Sequence, residues 1–324
     1  MKKISVIIPV YNCEKYIELG MNNILKQDIF DELEVIIIDD GSTDSSLNLL
    51  KKYDDKYENI KVYHQNNFGV SVARNKGIEK SSCDFITFYD IDDCLESNIY
   101  SHLYEKINKS GNDLSIINFD LICNKRRIKI GKEKINKVFN KEEALINFLK
   151  GKYISNSVCD KIFRKSIIIN NNILFPEGNK IGEDMYFNFL YLNYCTKIDL
   201  DTFNILYHYV VNNNSAMNKK FDSRFYDTVE LSKKMFEFYS KKSVLYKYTE
   251  AHYIHEVCKV IEYMIRTNAS KETDAHKKKY KKILKEYKIL NAYRYLSKRK
   301  FFGYLLMRFS EKLYMFFWKV LKVG

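Results

Sequence analysis

Proline and glycine are scarce in this chain, with 2 and 11 among 324 residues. Lys, Asn, Ile and Tyr are abundant instead, a compositional bias that carries no functional signal of its own. No Gly-rich, Lys-bearing loop occupies residues 9–16 after the first apolar run, which argues against a nucleotidyltransferase. The seven cysteines (Cys13, Cys83, Cys94, Cys123, Cys159, Cys195 and Cys258) are scattered, odd in number and without a C-x-x-C pair. That pattern argues against a disulfide framework or a cysteine zinc site and favours a reducing compartment. No stretch approaches the ~18 consecutive apolar residues of a spanning helix. The first apolar run opens at Ile4 and leaves no room for a signal peptide. A cytoplasmic protein is expected.

What is present is unevenly distributed. The net charge is +13, yet residues 218–324 hold 26 Lys and Arg against 11 Asp and Glu, while the remainder holds 28 against 30. A near-neutral body therefore carries a cationic appendage. With 46% hydrophobic residues the chain can bury a sizeable core, and its length suggests about two domains.

The hydrophobic pattern predicts strands at Ile4–Val10, Leu33–Ile38, Ile60–His64 and Asp84–Tyr89. Helices are predicted over Glu14–Gln27, over Ser45 to about Tyr53 with Asp44 as cap, from Gly69 onward, and over Ile99–Lys109. This β-α-β-α-β-α-β order is the start of a doubly wound, mostly parallel sheet. A strand at Leu114–Phe119, a basic, polar connection or hairpin at Lys125–Lys137 and helices at Lys141–Gly151 and Met185–Tyr194 follow. Short strands at Ile198–Asp201 and Ile205–Val211 close the body, and everything from about Phe221 reads as helical.

Two acidic groups end neighbouring strands: Asp39–Asp40, and Asp90 with Asp92–Asp93. Ligands of such sheets bind outside the carboxyl ends of the strands, where these acids fall. Clustered negative charge is costly unless a cation or a donor-rich ligand compensates it. A divalent metal holding a nucleotide diphosphate would do so, which points to an enzyme.

Five segments taken together, Pro9-Val10-Tyr11-Asn12, Asp39-Asp40-Gly41-Ser42-Thr43-Asp44, Ala73-Arg74-Asn75-Lys76-Gly77, Asp90-Ile91-Asp92-Asp93 and Gly182-Glu183-Asp184, resemble the motifs of the family 2 glycosyltransferases of the GT-A fold. They occur in that family's order and spacing across roughly residues 3–215, closest to bacterial enzymes of capsule, exopolysaccharide or cell-wall glycan synthesis. The resemblance implies a GT-A α/β catalytic domain at 1–217, with a nucleotide-sugar half (1–110) and an acceptor half (111–217). It also implies an inverting transfer from a UDP-sugar to a glycan or lipid-linked acceptor. Pro9, Tyr11, Asn12, Asp39 and Asp40 would form the base and ribose pocket, with Asp39 accepting the uracil N–H. In the DxD-like loop, Asp90 would reach the donor while Asp92 or Asp93 binds Mg²⁺ or Mn²⁺ against the phosphates. Arg74 would approach a carboxylate or the diphosphate as a fixed fork. Asp184 would be the general base, with Glu183 orienting a sugar hydroxyl or supporting the loop. Lys161 and Arg164 form a basic pattern that holds the acidic loop or the donor, or else forms ordinary salt bridges. His208, near Ser215, is either a diphosphate contact or a structural histidine.

The basic helical region, 218–324, ends in a predicted amphipathic helix at 303–323. Leu305, Leu306, Phe309, Leu313, Phe316, Phe317, Val320 and Leu321 fall on one face, and Arg308, Glu311, Lys312, Lys319 and Lys322 on the other. With Lys298-Arg299-Lys300 upstream, residues 298–323 read as a helix lying on the anionic inner face of the plasma membrane. The alternative is a helix packed on its own domain or on a second subunit, as in a homo-oligomer. A nucleic-acid-binding protein is a rival explanation of the charge, but no recognised binding module is present, so no nucleic acid is expected. A membrane- or nucleic-acid-binding scaffold with a decayed glycosyltransferase fold is a further alternative, and the intact acids at 39, 92, 93 and 184 argue against it.

Overall fold

The computed structural model describes residues 2–322 except 110, 124–125, 130–132, 212–220 and 268–272, and the side chains of 109, 129 and 318–322 also lie outside the description. In chain order the first elements are β1 (Ile4–Val10), α1 (Ile17–Leu25), β2 (Leu33–Asp40), α2 (Ser46–Lys56), β3 (Ile60–Gln65), α3 (Val70–Lys80) and β4 (Phe85–Phe88). Next come β5 (Cys94–Leu95), α4 (Ile99–Lys109), β6 (Leu114–Cys123), β7 (Arg126–Lys129), β8 (Asn136–Phe139) and α5 (Lys141–Lys150). β9 (Lys161–Arg164), α6 (Lys165–Asn170), α7 (Glu183–Leu192) and β10 (Ile198–Val210) complete the sheet-bearing part.

Among the described residues these strands form one ten-stranded sheet in the order β3-β2-β1-β4-β9-β6-β10-β5, with β7 on β6 and β8 on β10. Strands β3, β2, β1 and β4 run parallel, and β9 is antiparallel to both β4 and β6; the acid-ending strands β2 and β4, expected to be neighbours, are separated by β1, which pairs with both. Near-continuous runs of Ile and Val in β1 and β2 are buried on both faces, as expected for strands covered by helices above and below. This is the α/β GT-A architecture that the resemblance implied.

Close packing fixes the first half. Gly20 of α1 lies so near the acidic loop that a Cβ there would stand 2.4 Å from the Ile91 carbonyl oxygen. Only glycine lets α1 abut that loop and hold it against the sheet.

The elements differ from the sequence reading where tertiary context decides. β9 and α6 lie in a stretch to which the sequence reading assigned no element, because a four-residue buried strand carries too little periodicity to see. Ile198–Val210 is one strand, with register shifts between Asp201 and Tyr207 that mimic a break in the alternation. β7 pairs antiparallel with the end of β6, in agreement with the hairpin alternative for the polar connection.

A second compact unit holds Leu149–Lys152 and the C-terminal helices. These are α8 (Phe225–Glu237), α9 (Val244–Arg266), α10 (Asp274–Glu286), α11 (Ile289–Tyr295), α12 (Lys298–Phe309) and α13 (Glu311–Lys322). The long α9 is its centre, buried along Ile254, Val257 and Ile261 and packed by α8, α10, α11 and α12. The single helix expected at 303–323 is two helices broken at Ser310, whose φ of −157° and ψ of 114° are extended. Tyr304, Leu306 and Met307 turn inward, whereas Phe302, Phe309, Leu313 and Phe316 are exposed. Arg308, assigned to the polar face, points inward and donates to the Tyr287 carbonyl (2.7 Å) and the Tyr304 hydroxyl (2.8 Å). Backbone carbonyls at the end of α10 need such donors, and this requirement overrides the helical-wheel pattern.

Candidate active site

The carboxyl ends of β1, β2 and β4 frame a pocket of about 260 Å³, lined by Pro9, Tyr11, Cys13, Asp40, Asn67, Val70, Asp90 and Asp92 among others. Tyr11 is exposed at this site. Asn12, in the left-handed region at φ 51°, accepts from the Thr43 amide (2.8 Å) and donates its own amide to Ser42 Oγ (3.0 Å). It therefore joins the loops after β1 and β2. Burial pushes the Cys13 thiol up to about 11, so it lines the site as an unreactive group.

The two acids ending β2 differ in use. Asp39 is fully buried. Its Oδ2 lies 2.7 Å from His64 Nδ1 at the end of β3, whereas Oδ1 has no hydrogen-bond partner among the described residues. Asp40 lines the pocket and also accepts from Gln65 Nε2 (2.8 Å) and from the amides of Phe68 (3.0 Å) and Gly69 (2.8 Å). It holds the turn entering α3 and keeps one acceptor position of its carboxylate for a ligand in the pocket.

Arg74, on α3 and 3% exposed, is the hub of the site. Its Nη1 donates to Asp184 Oδ1 (2.6 Å) and Glu183 Oε1 (3.2 Å), and its Nη2 to Asp90 Oδ1 (3.1 Å). The guanidinium also stands over the Phe175 ring at 5.3 Å. One cation thus joins the donor-side acidic loop to the acids of α7. Gly182, at φ 92°, supplies the left-handed turn that starts α7, so Glu183 and Asp184 occupy its first turn, where the helix dipole favours negative charge. Neither acid caps the helix through its side chain. Burial pushes the Asp184 carboxyl up to about 7, with Glu183 and Asp90 reinforcing the shift and Arg74 opposing it.

Asp93 departs from the metal-ligand role expected of it. It is 1% exposed, and its carboxylate accepts from the Tyr207 hydroxyl and, through Oδ1, from the Val210 amide at 2.8 Å. Burial beside Asp90 holds this carboxyl well above the usual range. Asp92, in contrast, lines the pocket. Among the described residues no three His, Cys, Asp or Glu side chains gather as a metal cage. Mg²⁺ and Mn²⁺ held with a nucleotide need only one or two carboxylates plus phosphate oxygens. Asp92 fits that kind of shared ion.

Lys161, Arg164 and His208, each left open between a site contact and a structural role, have structural partners. Lys161 is fully buried and donates to Asp160 Oδ1 (2.7 Å), Ser155 Oγ (2.9 Å) and the Ser157 carbonyl, pinning the loop before β9. Arg164 pairs in register with Phe85, at the start of β4 and so at the opposite end of the sheet, where its Nε donates to the Asn112 carbonyl (2.6 Å). His208 Nδ1 lies 2.6 Å from Asp120 Oδ1 and its Nε2 3.0 Å from Glu96 Oε1. Strand alternation sends it to the face opposite Tyr207, away from the acidic loop's carboxylates. Ser215 lies outside the described residues. His64, Phe175 and Tyr207 were not anticipated. Only His64 had a usable signal, since parallel register places it beside Asp39.

Residues 5–170 match the family model described as Glycosyl transferase family 2. Over 197 residues the chain is 30% identical to a cholesterol galactosyltransferase of Borreliella burgdorferi, covering 57% of this chain and 54% of that protein. Over 263 residues it is 29% identical to the poly(ribitol-phosphate) beta-N-acetylglucosaminyltransferase TarP of Staphylococcus aureus, covering 77% and 76%. The chain thus spans about half the length of the first relative and about three quarters of the second. The crystal structure of S. aureus TarS 1-349 in complex with UDP-GlcNAc shares the fold, with a TM-score of 0.70 at 23% identity over 94% of this chain and 90% of that one.

Proposed function

Because the chain belongs to glycosyl transferase family 2, we propose that it moves a hexosyl or N-acetylhexosaminyl unit, with inversion, from a UDP-sugar to a glycan or lipid-linked acceptor of bacterial surface polysaccharide synthesis. The observation that carries this reading is the Arg74 bridge, which sets the acids of α7 beside the acidic loop that lines the pocket. The acceptor hydroxyl attacks the anomeric carbon, the bond from that carbon to the diphosphate oxygen breaks, and Asp184 takes the hydroxyl proton. Tyr11 stacks on the base, and the orphan Oδ1 of buried Asp39 accepts its imide N–H. Asp90 faces the donor while Glu183 orients the acceptor side. A Mg²⁺ or Mn²⁺ at Asp92 would supply Lewis-acid stabilisation of the departing diphosphate. The names of TarP and of the TarS complex, which specify N-acetylglucosamine, favour an N-acetylhexosaminyl donor.

Thermal-shift measurements against UDP and a panel of UDP-sugars, with and without Mn²⁺, test the assignment. A metal-dependent rise in Tm is expected with UDP, largest with the true donor and lost in Asp92→Ala. No shift with any nucleotide would overturn the transferase reading.

We further propose that the helical unit docks on an anionic membrane. Among the described residues no helix is long and apolar enough to cross one. The exposed Phe302, Phe309, Leu313 and Phe316, with exposed Lys298, Arg299 and Lys312, have the composition of an interfacial surface instead. The protein is expected to sediment with vesicles containing phosphatidylglycerol and to be released by Phe309→Ser with Phe316→Ser. Equal recovery from neutral and anionic vesicles would refute the electrostatic part.

A further inference from the structure

The last acid of the loop does different work from its neighbour. Asp93 is buried and accepts both the Tyr207 hydroxyl and the Val210 amide. Its own backbone is held as firmly: its carbonyl accepts from the Tyr89 hydroxyl (2.9 Å) and from Asn23 Nδ2 (3.2 Å). Immediately beyond it, β5 pairs with β10 through Cys94–His208 and Leu95–Tyr207. On the opposite face His208 bridges Glu96, just after β5, to Asp120 of β6. The end of β10 therefore grips the segment 93–96 from both faces, and Asp92 is the residue next to that grip.

We propose that Asp93, through Tyr207 and the Val210 amide, is a positioning residue that clamps the acidic loop to β10 and aims Asp92 into the pocket. This rests on the donor-site reading given above. A side chain committed to two donors inside the sheet cannot also turn outward to a cation without leaving both of them buried and unpaired. Asparagine at position 93 retains the geometry, since its carbonyl can accept the Val210 amide while its NH₂ donates to the Tyr207 oxygen. At position 92 asparagine removes the charge that a hard cation requires.

The test uses the full chain in two measurements. The first is Mn²⁺ titration of UDP binding by calorimetry. Tyr207→Phe and Asp93→Ala should weaken Mn²⁺ by roughly tenfold, the usual cost of losing an outer partner of a metal ligand. Asp93→Asn should stay within about threefold of wild type, and Asp92→Asn should abolish the metal dependence. The second is hydrogen exchange of residues 90–96 and of the Val210 amide without nucleotide. It should quicken in Tyr207→Phe and Asp93→Ala and remain slow in Asp93→Asn. If Asp93→Asn loses metal dependence as fully as Asp92→Asn, Asp93 is a ligand and the proposal is wrong. Unchanged exchange in Tyr207→Phe overturns the clamp equally. Should wild type bind no nucleotide, the donor-site reading fails while hydrogen exchange still decides the clamp.

Discussion

Asp184→Asn is expected to lower kcat by about 10³-fold while leaving the affinity for UDP nearly intact. The substitution is isosteric, so Arg74 can still donate to the side-chain oxygen, but the amide cannot accept a proton from the acceptor hydroxyl. The donor pocket is built mainly from the ends of β1, β2 and β4 rather than from α7, which is why binding should survive. A second signature separates a base from a merely structural acid. With its carboxyl pushed up to about 7, Asp184 is ready to accept a proton only above that pH. Wild-type kcat/KM, which reports ionisation in the free enzyme, should therefore rise about tenfold per unit up to pH 7 and level off beyond it, because the reactive form is the ionised one. The residual activity of Asp184→Asn should lack that limb. Glu183→Gln should cost much less and keep the limb. A variant at position 184 that retains kcat within threefold, or a wild-type profile flat from pH 5 to 8, would remove Asp184 from the role.

The parallel half of the sheet was legible because its signals are local. Apolar runs of Ile and Val closed by acids, with helical spacing between them, predicted β1 to β4 to within a few residues and placed the acids at the right end. The site was legible as composition but not as geometry. Asp39, Asp40, Asp92 and Asp93 look alike in sequence, yet Asp39 has an orphan oxygen, Asp40 lines the pocket while holding a turn, Asp92 lines the pocket and Asp93 is buried under Tyr207. What separates the last two is the pairing of β5 with β10, a contact between residues more than 100 positions apart that no periodicity reports, and what separates the first two is the neighbouring β3 and the turn after it. Lys161 takes the salt-bridge alternative, with Asp160, and neither it nor Arg164 lines the pocket, for a related reason. Their strand β9 is too short to recognise, and its antiparallel direction puts Arg164 at the far end from the pocket. In the tail the helical wheel assumed one continuous helix. The break at Ser310 divides that face between a packed part and an exposed part.

Arg74→Met should be the most damaging substitution for stability, because it leaves three carboxylates facing one another without a counter-charge. In the native protein a single buried guanidinium satisfies Asp90, Glu183 and Asp184 at 2.6 to 3.2 Å. Removing one partner of a buried ionic group costs about 3–5 kcal/mol, far more than the pair contributes over a well-packed apolar replacement. Melting should fall by on the order of 10 °C for a body of this size. The pH dependence provides the check. Deprived of Arg74, whose charge opposes the upward shift of Asp184, that carboxyl is held further above its unfolded range, so the folded protein binds more protons and gains stability as pH falls. The gap between wild type and Arg74→Met should narrow between pH 8 and pH 5. Arg74→Lys should recover only part of the loss, since an ammonium cannot present two fixed prongs to acids from two loops. A pH-independent gap would mean that the cost comes from lost packing on Phe175 instead. A negligible gap would show that the three acids separate once the arginine is gone, and that the donor loop and the base are not held together by this charge.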